Sequence, residues 1–132
     1  RSSDLLGHDN RSCGFRLVGE GAGYRVENRI PGADVNPYYA FSGTIAAGIA
    51  GIDAGLGAPD VYRGNAWENA DFEVMSTSMH QSVDRFARSA FAREAFGDAV
   101  YEHLLASARA EVTSFDSGTV TDWEVKRYYE RA

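Results

Sequence analysis

Residues 12–30 read Ser12-Cys13-Gly14-Phe15-Arg16-Leu17-Val18-Gly19-Glu20-Gly21-Ala22-Gly23-Tyr24-Arg25-Val26-Glu27-Asn28-Arg29-Ile30, and this stretch decides the fold class. Cys13, Phe15 and Leu17 alternate with Ser12, Gly14 and Arg16; after a glycine-rich connector, Tyr24, Val26 and Asn28 alternate with Arg25, Glu27 and Arg29. A period of two residues belongs to an extended chain whose side chains point to opposite faces, so the pattern predicts a strand, a turn and a strand. The connector Gly19-Glu20-Gly21-Ala22-Gly23 supplies the positive backbone angles that a hairpin loop needs. It is not a dinucleotide-binding loop, because that fingerprint requires a third glycine where Tyr24 stands and a helix immediately afterwards.

Downstream the period changes. Asn36-Pro37 reads as an N-cap followed by proline at the first helical position, where a missing N–H costs nothing. Tyr38, Phe41, Ile45, Ile49 and Ile52 then recur at three- and four-residue steps, and alanines and glycines between them keep the helix slim. A core helix is expected over 34–55, with packing partners outside this chain. Residues 56–80, rich in Gly, Asn, Asp and Pro, are expected to form a loop longer than the usual connection. Residues 81–132 read as a helical tail, with Val83, Phe86, Ala87 and Ala90 on one face and Tyr101, Leu104, Leu105, Ala108, Val112 and Phe115 on another, broken at Gly97. Thr121-Asp122-Trp123-Glu124 has capping-box spacing, and Trp123, Tyr128 and Tyr129 can cover the inner side of a last helix. The predicted class is α+β: a β-hairpin within 1–31, the core helix, the long loop and the helical tail.

Composition narrows the function. With 132 residues and 44% hydrophobic content the chain can bury roughly two-thirds of its unfolded surface, enough for one domain. A net charge of −6 argues against nucleic acid as a partner, since phosphate contacts need a basic surface. The charge is uneven. Residues 1–31 carry five arginines against Asp4, Asp9, Glu20 and Glu27, a net of +1, which leaves −7 for the rest. The single Cys13 cannot form an intramolecular disulfide, and the apolar run from Tyr38 to Ile52 is shorter than the ~20 residues of a membrane span. A cytoplasmic protein without a membrane partner is expected. The opening Arg1-Ser2-Ser3, without methionine and close to a dense polar motif, is expected of a piece of a longer protein.

On the second strand Arg25, Glu27 and Arg29 share one face, about 6–7 Å between consecutive members, and Arg16 can join them from the facing strand. Cross-strand ion pairs on a solvated face would explain such a row. Yet the row uses arginine and no lysine, and the planar guanidinium suits bidentate binding of carboxylate and phosphate. A carboxylate flanked by arginines stays ionised and could be a hard oxygen ligand for magnesium or manganese. The row therefore offers an anion site, a cation site and another anion site in sequence. His8, His80 and His103 are too scattered for a zinc cluster or a nucleophile-and-base pair, and Cys13 reads as a buried small hydrophobe.

The stretches His8-Asp9-Asn10-Arg11-Ser12, Phe15-Arg16 and Arg25-Val26-Glu27-Asn28-Arg29-Ile30-Pro31-Gly32-Ala33-Asp34-Val35-Asn36-Pro37-Tyr38 closely resemble the end of the glutamine synthetase catalytic domain. The resemblance continues through the Ala/Gly-rich helix to Gly51-Ile52, weakens through the loop, and returns in Thr121-Asp122-Trp123-Glu124, Arg127-Tyr128 and Glu130-Arg131. It looks most like bacterial type I enzymes and related γ-glutamyl-amine ligases. The resemblance implies that Arg11 contacts the transferring phosphate, that Arg16 and Arg25 bind ATP, that Glu27 is a ligand of Mg²⁺ or Mn²⁺, and that Arg29 holds the substrate glutamate. Arg11, Glu27 and Arg29 would be the catalytic set, and Asn10 belongs to the motif without an assigned role.

The implied activity is an ATP-dependent glutamate–ammonia ligase working through a γ-glutamyl phosphate. A ligase for polyamines or other amines is the alternative, and a non-catalytic interaction module of the same fold is a third reading. The resemblance places the remaining metal ligands, the ammonium-site loops and the glutamate-binding motif upstream of residue 1. The chain alone is thus expected to be inactive and to self-associate, and the complete parent to be a homo-oligomer. The family's Pro-Arg-Ser/Thr-Leu pattern is absent near Ser76-Thr77-Ser78-Met79, which puts an interface or regulatory role of that loop in doubt.

Overall fold

The computed structural model describes residues 5–68, 72, 74–129 and 131. Arg1-Ser2-Ser3, Asp4 and Glu130 of the sequence reading lie outside them. The chain divides into two compact units, residues 1–77 and 78–132.

The first unit is built on a three-stranded sheet of β1 (Leu6–His8), β2 (Phe15–Val18) and β3 (Arg25–Asn28), in the order β1-β2-β3. β2 and β3 form the expected antiparallel hairpin, with Arg16 opposite Glu27 and Val18 opposite Arg25. Gly19 (φ 87°) and Gly21 (φ 52°) supply the positive angles, and a 3-10 turn over Gly21–Gly23 closes the loop. The ladder runs on past β3, because Arg29 N–H donates to the Gly14 carbonyl at 2.8 Å.

β1 is an addition to the sequence reading. It pairs in parallel with β2, Gly7 opposite Arg16, although only residues 9–14 join the two. Parallel neighbours usually need a crossover of a dozen or more residues. Here Asp9 turns the chain in the left-handed region (φ 46°), and its N–H donates to the Leu17 carbonyl at 2.9 Å. The return is so tight that a Cβ on Gly7 would lie 2.6 Å from Asn10 Cβ and 2.7 Å from Cys13 Sγ, so only glycine fits. Cys13 sits in this turn just ahead of β2 and is fully buried, as a small hydrophobe; burial pushes its thiol pKa up.

α1 (Pro37–Asp53) begins as read: the Asn36 side chain accepts the Tyr38 N–H at 3.0 Å and Pro37 takes the first position. It lies within the expected 34–55. No residue of it is buried in this chain, and Tyr38, Phe41, Ile45, Ile49 and Ile52 are each 54–79% exposed. A helix of this composition is built to be covered. The segment after α1 returns to the sheet, where Tyr62 N–H donates to the Leu6 carbonyl at 2.8 Å.

The second unit holds α2 (Met79–Ala87), α3 (Ala90–Gly118) and α4 (Asp122–Tyr128). Ser78, Ser89 and Thr121 cap the three N-termini through their side-chain oxygens, and Thr121 with Glu124 completes the capping box. Hydrogen bonds donated to the Glu124 carboxylate by the Thr121 backbone N–H and then by its hydroxyl hold the Glu124 pKa below the usual range. Ala92, Tyr101 and Leu105 form the core of this unit, with Val83, Phe86, Ala87 and Phe96 packed against them. The Tyr101 hydroxyl donates to the Ala87 carbonyl at 2.8 Å, closing the end of α2. α3 is broken at Gly97 (φ 71°, ψ 158°), a region open essentially to glycine alone. Arg93 spans the break, pairing with Asp98 and Glu102 while its guanidinium lies 4.3 Å above the Tyr101 ring. No helix among the described residues is long and apolar enough to cross a membrane.

Candidate active site

The hairpin brings three of the singled-out side chains together. Glu27 stands opposite Arg16, whose Nη1 donates to Glu27 Oε2 at 2.8 Å, and Arg29 Nη1 donates to Glu27 Oε1 at 3.0 Å. Alternation along β3 and its continuation places residues 27 and 29 on one face. Arg16 is also held from the other side: its Nε donates to Asp9 Oδ1 at 3.0 Å, and its Nη2 pairs with the same oxygen. Asp9 reaches it because β1 ends one residue earlier, beside β2.

These contacts set the charge states. Hydrogen bonds from Arg16, and then its charge, hold the carboxyls of Asp9 and Glu27 below the usual carboxylate range, and their response raises the Arg16 pKa further. Arg29 keeps one polar atom without a partner among the described residues, its buried Nε. A buried donor left unpaired is costly.

Arg25 is not drawn into the cluster. It shares the face, but it is exposed at the start of β3, and its Nη1 donates to the Gly23 carbonyl of the adjoining turn at 3.0 Å. Arg11 is exposed in the turn between β1 and β2, and it makes no hydrogen bond or ion pair with the described residues. Instead it lines a groove of about 1030 Å³ together with His8, Asp9, Asn10, Arg16 and residues 61–64.

What holds that groove in shape was not visible in the sequence pattern. Asn10 Oδ1 accepts from the Ser12 N–H at 3.0 Å and from the Ser12 hydroxyl at 2.6 Å, while Asn10 Nδ2 donates to the Gly64 carbonyl at 2.8 Å. The buried Ser12 hydroxyl in turn accepts the buried Ala66 N–H at 2.9 Å. Asn10 is therefore a clip between the motif and the loop. The run Gly64-Asn65-Ala66 was its only sequence trace, a turn-forming cluster with an Asn side chain that accepts the Trp67 N–H at 3.1 Å.

Arginines at both ends of a carboxylate, beside a groove lined by further arginines, have the chemistry to bind anions. The profile of the glutamine synthetase catalytic domain matches residues 4–128, nearly the whole chain. The chain belongs to the glutamine synthetase catalytic-domain family. The γ-glutamylethanolamide synthetase of Streptomyces coelicolor is 46% identical over 125 residues, covering 95% of this chain and 27% of that protein. The glutamate–isopropylamine ligase of a Pseudomonas species is 33% identical over 127 residues, with 94% and 28% covered. The glutamine synthetase of Methanococcus maripaludis is 30% identical over 129 residues, with 92% and 29% covered. The chain thus spans little more than a quarter of the length of these relatives.

The family expectation of a divalent cation can be tested against the donors. Glu27 fits as one oxygen ligand: each of its oxygens accepts one arginine bond, which leaves lone pairs free, and its side chain is 39% exposed. Among the described residues no group of three or more His, Cys, Asp or Glu is gathered to complete a coordination sphere.

Proposed function

We propose that this chain forms part of an ATP-dependent ligase that joins the γ-carboxylate of glutamate to a small amine. The observation that carries this reading is the Arg16–Glu27–Arg29 row beside the Arg11 groove, which can hold a phosphate and a carboxylate on either side of a fixed negative charge. In the proposed reaction a γ-carboxylate oxygen of glutamate attacks the terminal phosphorus of ATP, the bridging P–O bond breaks and ADP leaves. The amine nitrogen then attacks the acyl carbon of γ-glutamyl phosphate, inorganic phosphate departs with the electron pair of the C–O bond, and the nitrogen gives up a proton.

Such chemistry asks the protein mainly for positioning and charge stabilisation. Arg11 would meet the transferring phosphate, Arg16 and Arg25 the nucleotide, and Arg29 the carboxylate of glutamate, for which its unpartnered Nε is a waiting donor. Glu27 would bridge the two neighbouring arginines and supply one ligand to Mg²⁺ or Mn²⁺, which when bound neutralises phosphate charge. Arg16 uses three of its five N–H donors on Asp9 and Glu27. Its part is then to orient Glu27, with nucleotide contact through whatever donor capacity remains.

The choice of amine leans on relatives. The two of higher identity are named for ethanolamide and isopropylamine products or substrates, whereas those near 30% are named glutamine synthetases. Ammonium is the second reading. The complete protein that contains this chain, given ATP, glutamate and Mg²⁺ or Mn²⁺, is expected to release phosphate with ethanolamine or a related small amine. Phosphate release with ammonium alone would select the second reading, and release with neither would remove both. With one carboxylate ligand the 132-residue chain is expected to be inactive by itself.

A further inference from the structure

Arg63 was not singled out in the sequence, because it sits in a loop without periodicity, yet it lines the same groove as Arg11. Its position is fixed on both sides. Tyr62 N–H is bonded to the Leu6 carbonyl at 2.8 Å, and the Gly64 carbonyl accepts from Asn10 at 2.8 Å, so the backbone that carries Arg63 is anchored to the sheet and to the motif. The side chain itself is exposed and has no hydrogen bond or ion pair with the described residues.

The groove's charges do not balance. Among the described residues Asp9 is its one lining carboxylate, and the hydrogen bonds it accepts come from Arg16. Among the described lining residues three guanidinium groups, Arg11, Arg16 and Arg63, share the single carboxylate of Asp9, which leaves the groove with excess positive charge. Two like charges held toward a common space by an anchored backbone repel each other unless an anion lies between them. Guanidinium is also the group whose planar fork matches phosphate oxygens.

We propose that Arg63 is a second phosphate-binding arginine of this groove, acting with Arg11 on one polyphosphate. The ligand class is a nucleoside triphosphate; that identity rests on the ligase reading, while the polyphosphate site itself does not. Arg63 comes from the loop and Arg11 from the motif turn, so two separate segments would contact the chain of phosphates.

The test uses the complete protein and inorganic tripolyphosphate as the probe in titration calorimetry, with ATP kinetics alongside. Arg63→Gln is expected to weaken tripolyphosphate binding and raise the KM for ATP by about tenfold, the loss of one charge-assisted contact, with the KM for glutamate unchanged. Arg63→Lys restores part of the affinity. Arg109→Gln, which removes the same charge from the helical unit, leaves both unchanged. A protein that does not bind tripolyphosphate, or an Arg63→Gln variant that binds it like the parent, overturns the proposal. Tripolyphosphate binding that depends on Arg63, in a protein with no ligase turnover, supports the site and sinks the ligase reading. Turnover with an unchanged KM for ATP in Arg63→Gln does the reverse.

Discussion

Replacing Ser12 with alanine tests whether the groove is held open by the clip between the motif and the loop. The Ser12 hydroxyl donates to Asn10 Oδ1 at 2.6 Å and accepts the Ala66 N–H at 2.9 Å, and both Ser12 and Ala66 are buried. Alanine keeps the backbone and removes both bonds. One neutral hydrogen bond contributes about 1 kcal/mol net, and a buried N–H left without a partner costs a further ~1–3 kcal/mol, so the attachment of the loop weakens by at least about 2 kcal/mol. Hydrogen exchange read by mass spectrometry reports this directly, because local opening sets the exchange rate of a protected amide. Ser12→Ala is expected to accelerate exchange of the Ala66 amide and its neighbours by roughly 30-fold or more. Amides of Tyr101 to Leu105, in the core of the other unit, are expected to exchange as before. Unchanged protection at Ala66 would refute the clip, and uniform acceleration everywhere would show that Ser12 supports global stability instead.

Three further outcomes follow from the site. Asp9 and Glu27 have folded-state pKa values below the ordinary 3.8 and 4.5, so the stability they contribute is fully present above those values and is lost as pH falls below them. Acid titration of the unfolding midpoint below about pH 4.5 is therefore expected to fall more steeply in the parent than in Arg16→Gln; parallel curves would contradict the pairing. In the complete protein Glu27→Gln is expected to weaken Mg²⁺ or Mn²⁺ dependence and lower turnover, whereas Arg29→Lys mainly raises the KM for glutamate, since lysine cannot reproduce the bidentate fork; identical steady-state constants for both would remove these roles. The 132-residue chain by itself leaves the apolar face of α1 exposed and is expected to associate, and light scattering that finds a monomer at high concentration would contradict this.

The hairpin and the helix starts were legible because local rules govern them. Period-two alternation through residues 13–17 and 24–29, glycines in the connector, Asn36-Pro37 and the Thr121 capping box are decided within a few residues of chain. Gly97 was legible for the same reason, since only its own backbone angles are at stake. β1 was not, because a parallel strand joined by residues 9–14 depends on a left-handed Asp9 and on the absence of a side chain at Gly7, and neither leaves a periodic trace. Nor was the return of residues 61–66, whose anchors on Leu6, Asn10 and Ser12 are more than 50 residues away in sequence. The site divides in the same way. Arg16, Glu27 and Arg29 meet as strand alternation requires, while Arg25 shares their face but satisfies itself on Gly23. Arg63 joins the groove through a loop that no pattern could place.

The central claim is activation of the glutamate carboxylate by phosphoryl transfer from ATP, and isotope transfer tests it most directly. The complete protein is supplied with ATP, Mg²⁺, a small amine or ammonium, and glutamate carrying oxygen-18 in its γ-carboxylate, and the released phosphate is analysed by mass spectrometry. Formation of the amide through γ-glutamyl phosphate leaves one carboxylate oxygen on the departing phosphate, so each phosphate is expected to carry one labelled atom. Amide formed with unlabelled phosphate, or phosphate released without any amide, would contradict the account.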